Sequence, residues 1–477
     1  MGKKKKDGKI FTPEPIVEKM LYNGLWHGSH SIFRHIIDNS CGDGAFLCKI
    51  VDYYCYAYNP KFDEQKIGLK SVLETYIHGI EIDPIEHKKC LENLDAVAEK
   101  YGIKDVKWGV QNRDALSCHD YDGKMDYVVA NPPYIRTHDL ECELSGYSFT
   151  TEGMKDIYLA FYELGFRMLN ETGSMCYITP SSWFTSTAGQ KMRDYVMDTK
   201  CLYTVFDFGH KQLFENATTY VAICVFRKNH HHVVYKNSPS VVYISPDGHT
   251  TYIPYDDMNI GGKFYFGTEN QLKQMREIVE YAGKKDHEKI FQVKNGFATL
   301  ADDVFIEKTK PITTQVYHAV RPWNIIPVIK SSTGKWAWCY YPYRKDGRLM
   351  TEEEMDPIVL ETLNEDREKL ENRATTEPWY AFGRTQAIND TYKDKWAIKS
   401  IIKTVEDIRP LKAPAGTGVY GGLYILTEYP EGLKALETKD FINYVKMLGK
   451  YKSGGYYTFS SKELENYLNW SYGKKKD

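Results

Sequence analysis

The alternation of short apolar runs with helical stretches, between about residue 30 and residue 230, constrains the fold of this chain most strongly. Such alternation indicates a parallel sheet covered by helices on both faces. The last two apolar runs have no long helix between them, so we expect an antiparallel hairpin at the sheet edge. The predicted strands are residues 31–38, 76–82, 106–110, 126–130, 174–179, 203–208 and 220–226, and the clearest helices are 45–58 and 156–169.

The chain is long enough for more than one domain. Its 477 residues exceed the roughly 250–300 at which a single core usually stops growing. The alternation stops near residue 230, where a polar stretch with many turn residues begins. We therefore predict an α/β domain at 1–235, a connection at 236–289 and a second, α+β domain at 290–477 that contains a helix at 352–373.

Several classes of protein are disfavoured by composition. No apolar run reaches the roughly 20 residues of a membrane span, and the basic residues 1–6 have no apolar stretch behind them, so we expect a cytoplasmic protein without a membrane partner. The ten cysteines include no C-x-x-C pair, which argues against a structural metal site and a disulfide framework. The net charge of −2 neither favours nor excludes nucleic acid, because a neutral chain can still have a basic face.

A glycine-containing turn follows the first predicted strand and opens the first predicted helix. Within residues 38–44, Gly42 and Gly44 let the backbone approach a ligand closely. Leu47 stands where the dinucleotide fingerprint has its third glycine, so a pyrophosphate is not implied. The carboxylate of Asp38 suits an amino-acid ammonium better than a phosphate. This turn favours a nucleotide-type site, although a plain strand–helix turn has the same pattern.

Acidic residues follow the second and third predicted strands. Glu81 and Asp83 lie where a ribose would bind, and a carboxylate there can accept hydrogen bonds from both ribose hydroxyls. Their distance from Gly44 exceeds the usual spacing of about 20 residues, so we assume an insertion near residues 58–72. Asp114 could accept a hydrogen bond from an adenine amino group. With Asp38, these acids occupy three consecutive strand ends, which favours a nucleoside ligand over unrelated surface residues.

The most specific motif is Asn131-Pro132-Pro133-Tyr134, directly after the apolar run 126–130. Its prolines fix the backbone and remove competing N–H donors. The side-chain carbonyl of Asn131 and a neighbouring main-chain carbonyl can then accept from one planar NH₂ group, which draws the amine lone pair out of conjugation. Tyr134 offers a face for a base to stack on. The motif therefore indicates an amine that attacks a methyl sulfonium in line.

With these motifs, the sequence resembles the TaqI-like adenine-N6 DNA methyltransferases of restriction–modification systems over nearly its whole length. Residues 39 and 40 are asparagine and serine where that family commonly has a proline and a small residue. The resemblance rests on residues 11–13 (the family's N-terminal cofactor motif), 38–47 (its methionine-binding loop), 156–161 with 178–180 (its middle motifs), 212–217 (the segment whose phenylalanine stacks on the flipped base), and 383–386 with 455–459 (its C-terminal specificity domain).

This resemblance implies a Rossmann-like methyltransferase domain that uses S-adenosyl-L-methionine, followed by a target-recognition domain at 290–477. It implies that double-stranded DNA enters between the domains and that an adenine is flipped out of the stack. The implied catalytic residues are Asn131, Pro132, Tyr134 and Phe214. The implied cofactor-binding residues are Thr12, Asp38, Cys41, Gly42, Gly44, Glu81, Ile82, Asp114, Ala115, Asn131 and Phe161. The residues suited to base contacts are Arg321, Arg384, Gln386 and Lys399, each of which could equally contact phosphate or support the fold.

Other functions remain open at this point. The same motif accepts the planar amide of glutamine or an RNA amino group, and a non-catalytic DNA-binding subunit is a third alternative. The absence of a Pro-Cys dipeptide argues against cytosine-C5 chemistry. Because the cofactor motif begins at residue 11, we expect no fused endonuclease. We expect a monomer whose cognate restriction endonuclease, if one exists, is a separate protein.

Overall fold

The computed structural model describes residues 12–25, 32–62, 68–135, 144–153, 156–214, 219–228, 233–284, 289–309, 324–374 and 378–474. The chain divides into two compact units, Met1–Lys273 and Gln274–Asp477. No helix within the described ranges is both long and apolar enough to cross a membrane.

The first unit is built on one mixed sheet, to which ten strands of the described residues belong. They are β1 (Ile36–Asp38), β2 (Ile77–Glu81), β3 (Gly109–Asn112), β4 (Met125–Ala130), β5 (Leu169–Pro180), β6 (Leu202–Asp207), β7 (Val221–Arg227), β8 (Val233–Tyr235), β9 (Ser238–Ile244) and β10 (Thr250–Pro254). The order is β10-β9-β6-β7-β5-β4-β1-β2-β3, and β8 also pairs with β9. Strands β1 to β5 run parallel, whereas β7 lies antiparallel between β5 and β6. The predicted α/β fold with a parallel sheet is confirmed.

Helices follow the strands of the first unit in the predicted alternation. They are α1 (Glu14–Glu18), α2 (Ala45–Ala57), α3 (Gly68–Tyr76), α4 (Pro84–Glu99), α5 (Ile157–Met168), α6 (Gln190–Thr199) and α7 (Tyr255–Met258), and α8 (Glu269–Gly283) runs across the boundary between the two units. A π-helical turn, Lys19–Leu25, follows α1, and a pair of short strands, Asn259–Ile260 and Lys263–Phe264, follows α7. Nearly every residue of β7 is buried, as expected of a central strand that is covered on both faces.

The segment predicted as a connection, 236–289, contains strands of the sheet instead of a plain linker. Strand β9 runs parallel to β6, and β10 pairs antiparallel with β9. The hairpin of β6 and β7 was expected at the sheet edge, but β9 and β10 lie outside it. Lys236 and Asn237 join β8 to β9 with φ of 51° and 61°. A two-residue hairpin turn requires positive φ at both positions, and this pair lacks the usual glycine. Because the segment is polar and its turn has no glycine, this hairpin was not predicted.

The second unit contains three small sheets among its described residues. The short pair of strands after α7 is numbered β11 and β12, so the strands of the second unit begin with β13. In chain order they are β13 (Gln292–Asn295), β14 (Ile306–Glu307), β15 (Ile325–Lys330), β16 (Lys335–Tyr340), β17 (Lys395–Ile398), β18 (Ile401–Ile402), β19 (Leu411–Ala413), β20 (Gly418–Tyr420), β21 (Leu423–Leu426), β22 (Tyr451–Lys452) and β23 (Tyr456–Thr458). The sheet orders are β13-β21-β17-β19, β14-β16-β15-β20 and β18-β23-β22.

The helices of the second unit are shorter than the sequence suggested. They are α9 (Asp302–Phe305), α10 (Pro357–Glu365), α11 (Arg367–Glu371), α12 (Lys439–Met447) and α13 (Ser461–Gly473). The single helix predicted at 352–373 is divided into a 3₁₀ turn, α10 and α11. Asp356 caps α10 by accepting a hydrogen bond from the Ile358 amide, and Pro357 occupies the first helical position. This is a strong local start signal, and it breaks the helix that the charge pattern predicted.

Candidate active site

The loop between β1 and α2 begins with a buried carboxyl group. Asp38 is the last residue of β1, is 1% exposed, and accepts a hydrogen bond from the Ser40 amide at 3.1 Å. The pKa of Asp38 is raised to about 8, mainly by burial and to a smaller extent by the nearby charge of Glu81, while the hydrogen bond from Ser40 opposes the rise. The loop then returns to the sheet, because the Cys41 amide donates to the Ile80 carbonyl at 3.0 Å. A carboxyl group in this setting favours a cationic ligand, whose charge would restore the ionised form.

Glycine is required at two positions around this loop. Gly44 begins α2 with φ of 93°, and a Cβ there would lie 2.9 Å from the Cys90 Sγ. On β2, a Cβ at Gly79 would lie 2.8 Å from the Leu47 Cδ1. Leu47 holds the position of the missing third glycine, so the close contact of helix and strand is made possible by Gly79 instead. The local motif alone could not reveal this exchange.

Glu81 ends β2 with both carboxylate oxygens engaged by the backbone. One oxygen accepts from the Gly42 amide at 2.8 Å and the other from the Asp83 amide at 2.7 Å. A carboxylate has about four acceptor sites, so each oxygen can still accept a ribose hydroxyl. Asp83 has a different role, since its side chain caps α4 through the Ile85 amide. Ile82, between the two acids, is 66% exposed and offers an apolar surface.

The third acidic position lies after β3. Asp114 caps the 3₁₀ turn Ala115–Ser117 by accepting from the Leu116 amide at 3.0 Å, and Ala115 is buried. The Asn112 amide donates to the main-chain carbonyl of Glu81 at 2.8 Å. This asparagine, which the motif analysis did not single out, joins the ends of β2 and β3.

Asn131 follows β4, at the same edge of the sheet as Asp38 and Glu81, and its side-chain amide is held at both ends. Its Nδ2 donates to the Thr12 Oγ1 at 3.1 Å, and its Oδ1 accepts from the Tyr134 hydroxyl at 2.6 Å. Burial raises the pKa of Tyr134 well above its usual value, so this hydroxyl stays a donor. The Ser40 hydroxyl donates to the Asn131 main-chain carbonyl at 3.4 Å. The tetrapeptide is thus bonded to the loop after β1.

The two aromatic side chains predicted to sandwich a base do not lie parallel in this structure. The rings of Tyr134 and Phe214 have centroids 6.5 Å apart and are inclined by 62°, and Phe214 is 4% exposed. The two side chains are thus brought together, but they form an edge contact and leave no slot between them. The residues after Phe214, at 215–218, lie outside the described ranges.

A buried hydrogen-bond chain behind the loop was not predicted. The Asn39 Nδ2 donates to the Tyr177 Oη at 2.6 Å, and this oxygen lies 3.3 Å from the carbonyl oxygen of Phe161. Phe161, expected to bind cofactor, has a buried side chain on α5. Asn39 and Tyr177 are separated by 138 positions in the sequence. Only the unusual asparagine at the family's proline position hinted at this contact.

The residues predicted to contact DNA belong to the second unit. Arg384 and Gln386 are exposed, and Gln386 donates to the Gly296 carbonyl at 3.1 Å. Lys399 is half-buried, with its Nζ 3.4 Å from an Asp407 carboxylate oxygen and 5.9 Å from the Tyr456 ring centroid. Arg321 lies outside the described residues. Within those residues, no group of three His, Cys, Asp or Glu side chains could hold a metal ion.

Comparison with known proteins finds a match in the first unit. Residues 46–214 match the model of a family described as the Eco57I restriction-modification methylase. This part of the chain is similar to those methylases. The chain is 22% identical over 520 residues to the Type II restriction enzyme and methyltransferase RM.Eco57I of Escherichia coli, with 86% of this chain and 51% of that protein covered. It is 23% identical over 481 residues to the Type II methyltransferase M.BanIII of Aneurinibacillus aneurinilyticus, with 86% and 78% covered.

A solved structure shares the fold of this chain. The Type IIL restriction-modification enzyme MmeI, in complex with DNA, superposes with a TM-score of 0.59 at 12% identity, and the match covers 90% of this chain and 61% of MmeI. The chain thus spans about half of RM.Eco57I and about three fifths of MmeI. The predicted relation to restriction–modification methyltransferases and the class of fold are confirmed. S-adenosyl-L-methionine is the cofactor of this class, whereas the narrower TaqI-like resemblance stays a prediction.

Proposed function

We propose that this chain transfers a methyl group from S-adenosyl-L-methionine to the N6 amino group of an adenine flipped out of double-stranded DNA. In this proposal it acts in the cytoplasm as the modification enzyme of a restriction–modification system and protects DNA from a separate cognate endonuclease. The observation that carries the proposal is the Asn131 amide. It is oriented by Thr12 and Tyr134 and linked through Ser40 to the loop that would hold the cofactor.

The residues at the carboxyl ends of β1, β2 and β3 fit the cofactor. Asp38 would bind its ammonium, because a buried carboxyl group with a raised pKa gains most from a neighbouring cation. Glu81 would accept from the ribose hydroxyls, and Asp114 from the adenine amino group. Ile82 would cover one face of that adenine. The cofactor supplies an electrophilic methyl group on a sulfonium, and the chain supplies positioning and electrostatics.

The orientation of the Asn131 amide decides which substrates this site can activate. In this structure Nδ2 donates to Thr12 and the carbonyl oxygen accepts from the Tyr134 hydroxyl, which also lies 3.0 Å from the Ile178 carbonyl oxygen. An amide oxygen has two lone pairs, so it can accept from Tyr134 and from a substrate amine together. A planar amine that donates to Asn131 and to a main-chain carbonyl nearby loses conjugation with its ring. It then becomes nucleophilic without a covalent intermediate.

A flipped base requires a change at Phe214. The edge contact with Tyr134 must open so that the two rings can lie on opposite faces of the adenine. Aromatic stacking on a flipped base is worth about 1–3 kcal/mol for each ring, comparable to the few kcal/mol needed to unstack a base. We infer that Phe214 moves when DNA binds.

Expression in a host that lacks DNA methylation tests the proposal. Nucleosides from its genomic DNA should contain N6-methyladenine when the wild-type chain is present and none when Asn131→Ala replaces it. The same chemistry could act on the exocyclic amine of cytosine. N4-methylcytosine in place of N6-methyladenine would therefore refute the assignment of the base. Methyl groups found only on RNA or on protein glutamine would refute DNA as the substrate.

A further inference from the structure

Leu300 combines two properties that are rarely found together. Its backbone has φ of 59°, and its side chain is 48% exposed. A left-handed conformation costs roughly 1–2 kcal/mol for a residue with a Cβ, and glycine avoids that cost. A leucine in this position therefore needs a compensating role, and about half of its surface stays exposed.

The turn that carries Leu300 is held by a set of hydrogen bonds centred on buried Thr299. The Thr299 carbonyl accepts from the Arg373 guanidinium at 2.5 Å. The Thr299 hydroxyl accepts from the Ala301 amide at 3.1 Å and donates to the Asp302 carboxylate at 2.6 Å. The strained conformation is thus fixed by its neighbours, which is the usual condition under which such strain persists.

This turn lies against the segment that contains Arg384. Ala298 and Arg384 exchange two main-chain hydrogen bonds, of 3.1 and 3.0 Å, as an isolated antiparallel bridge. A Cβ at Gly383 would lie 2.2 Å from the Leu300 Cδ1, so the leucine side chain packs directly on this glycine. One stacked pair of rings packs below, since Phe297 and Phe382 have centroids 4.7 Å apart and are inclined by 23°.

Leu300, Arg384 and Gln386 are thus three exposed residues on two segments that the Ala298–Arg384 bridge holds together. In the major groove, Arg forms bidentate hydrogen bonds with guanine, and Gln forms them with adenine. The apolar group that a base edge presents there is the 5-methyl of thymine. A leucine beside a segment with such side chains matches that group, whereas neither a phosphate nor a solvated surface would favour it.

We propose that Leu300 is a specificity-determining contact that packs on the methyl group of a thymine in the recognised DNA sequence. This inference rests on the proposed function, because it takes DNA as the substrate. Strain at Leu300 is then explained as the cost of holding an apolar side chain where a base edge reaches it. Stability and recognition therefore make opposite demands on residue 300.

The test uses the full-length protein and DNA duplexes in which each thymine of the recognised sequence is replaced in turn by uracil, which lacks the methyl group. The wild-type chain should bind one of these duplexes about fourfold more weakly, the equivalent of one buried methyl group. Leu300→Gly should bind the thymine and uracil duplexes equally. Because glycine relieves the strain, this variant should also have a higher melting temperature than the wild type.

Asp105→Gly is a matched control, since Asp105 is an exposed residue of the first unit with φ of 54°. It should raise the melting temperature without changing thymine discrimination. Insensitivity of the wild type to every uracil, or discrimination that survives in Leu300→Gly, would overturn the inference while leaving site-specific binding intact. A destabilised Leu300→Gly would instead show that the leucine supports the fold. A wild-type chain that prefers no DNA sequence would contradict the proposed function itself.

Discussion

At the scale of single residues, the proposed chemistry depends on how the Asn131 side-chain amide is oriented. Asn131 has a donor end and an acceptor end, and only the acceptor end can activate a substrate amine. In this structure Thr12 bonds the donor end and Tyr134 bonds the acceptor end, and the Tyr134 hydroxyl also lies 3.0 Å from the Ile178 carbonyl oxygen. We infer that Thr12, expected from the sequence to bind cofactor, also positions the amide that would accept from the substrate amine.

Thr12→Val should lower kcat by about 10- to 100-fold, the cost of a misplaced catalytic group. The cofactor dissociation constant, measured by calorimetry without DNA, should change little. Thr12→Ser keeps the acceptor oxygen and should restore most of the rate. If Thr12→Val weakens cofactor binding and leaves kcat unchanged, Thr12 contacts the cofactor and does not orient Asn131.

If Asp38 binds the cofactor as proposed, cofactor binding should have a distinct pH dependence. With a pKa of about 8, its carboxyl group is mostly protonated at pH 7 in the free protein. A bound ammonium favours the ionised form and lowers this pKa. Binding should therefore release protons at pH 7, and affinity should rise as the pH increases from 6 to about 7.5, below the range in which the ligand's own α-amino group of pKa about 7.7–8.0 titrates.

Calorimetry in two buffers of different ionisation enthalpy measures this proton release. Asp38→Asn has no proton to release, so its binding enthalpy should not depend on the buffer, and its affinity should be weaker. Equal proton release by the variant and the wild type would place the ammonium elsewhere.

At the scale of elements, the loop after β1 is fixed by contacts at both ends. Gly42 bonds to Glu81 on β2, and Asn39 bonds to Tyr177 on β5. Tyr177→Phe leaves the buried Asn39 amide with only the weak Met168 sulfur acceptor at 3.8 Å, which should cost about 1–3 kcal/mol of stability. Because the freed loop carries Asp38 and Gly42, cofactor affinity should fall as well.

Tyr162→Phe is the matched control for this element. Its hydroxyl lies 2.7 Å from the Thr179 Oγ1, is equally buried, and does not contact the loop. Urea denaturation should show comparable destabilisation of both variants, whereas calorimetry should show weaker cofactor binding only for Tyr177→Phe. Equal cofactor affinities in the two variants would mean that the Asn39–Tyr177 bond does not shape the loop.

The same elements show what could be predicted from the sequence. Asp38, Glu81 and Asn131 each follow an apolar strand directly, and parallel strands bring their carboxyl ends to one edge, so the motif positions sufficed. The bonds Thr12–Asn131 and Asn39–Tyr177 join residues 119 and 138 positions apart, and no local pattern encodes such pairs. Strand β9 was missed because its turn lacks the glycine that marks most two-residue hairpins.

At the scale of the whole molecule, the two units divide the proposed work. Every residue assigned to cofactor or amine lies in the first unit, and the surface formed by Leu300, Arg384 and Gln386 lies in the second. In the first unit, the glycine turn and the Asn131 motif were enough to predict the chemistry from the sequence. The second unit has small sheets with short strands. Its proposed recognition surface depends on backbone geometry such as the positive φ of Leu300, and the composition of the chain does not predict that geometry.

The most direct test of the central claim is transfer of a deuterated methyl group from labelled S-adenosyl-L-methionine to cognate DNA in a single turnover. Mass spectrometry of the digested DNA should find the label on N6 of adenine with the wild-type chain. Asn131→Ala should lose more than nine tenths of this rate while it binds cofactor nearly as well, because only the transition state needs the amine acceptor. Label on a cytosine, or a variant that retains more than a tenth of the wild-type rate, would contradict the account.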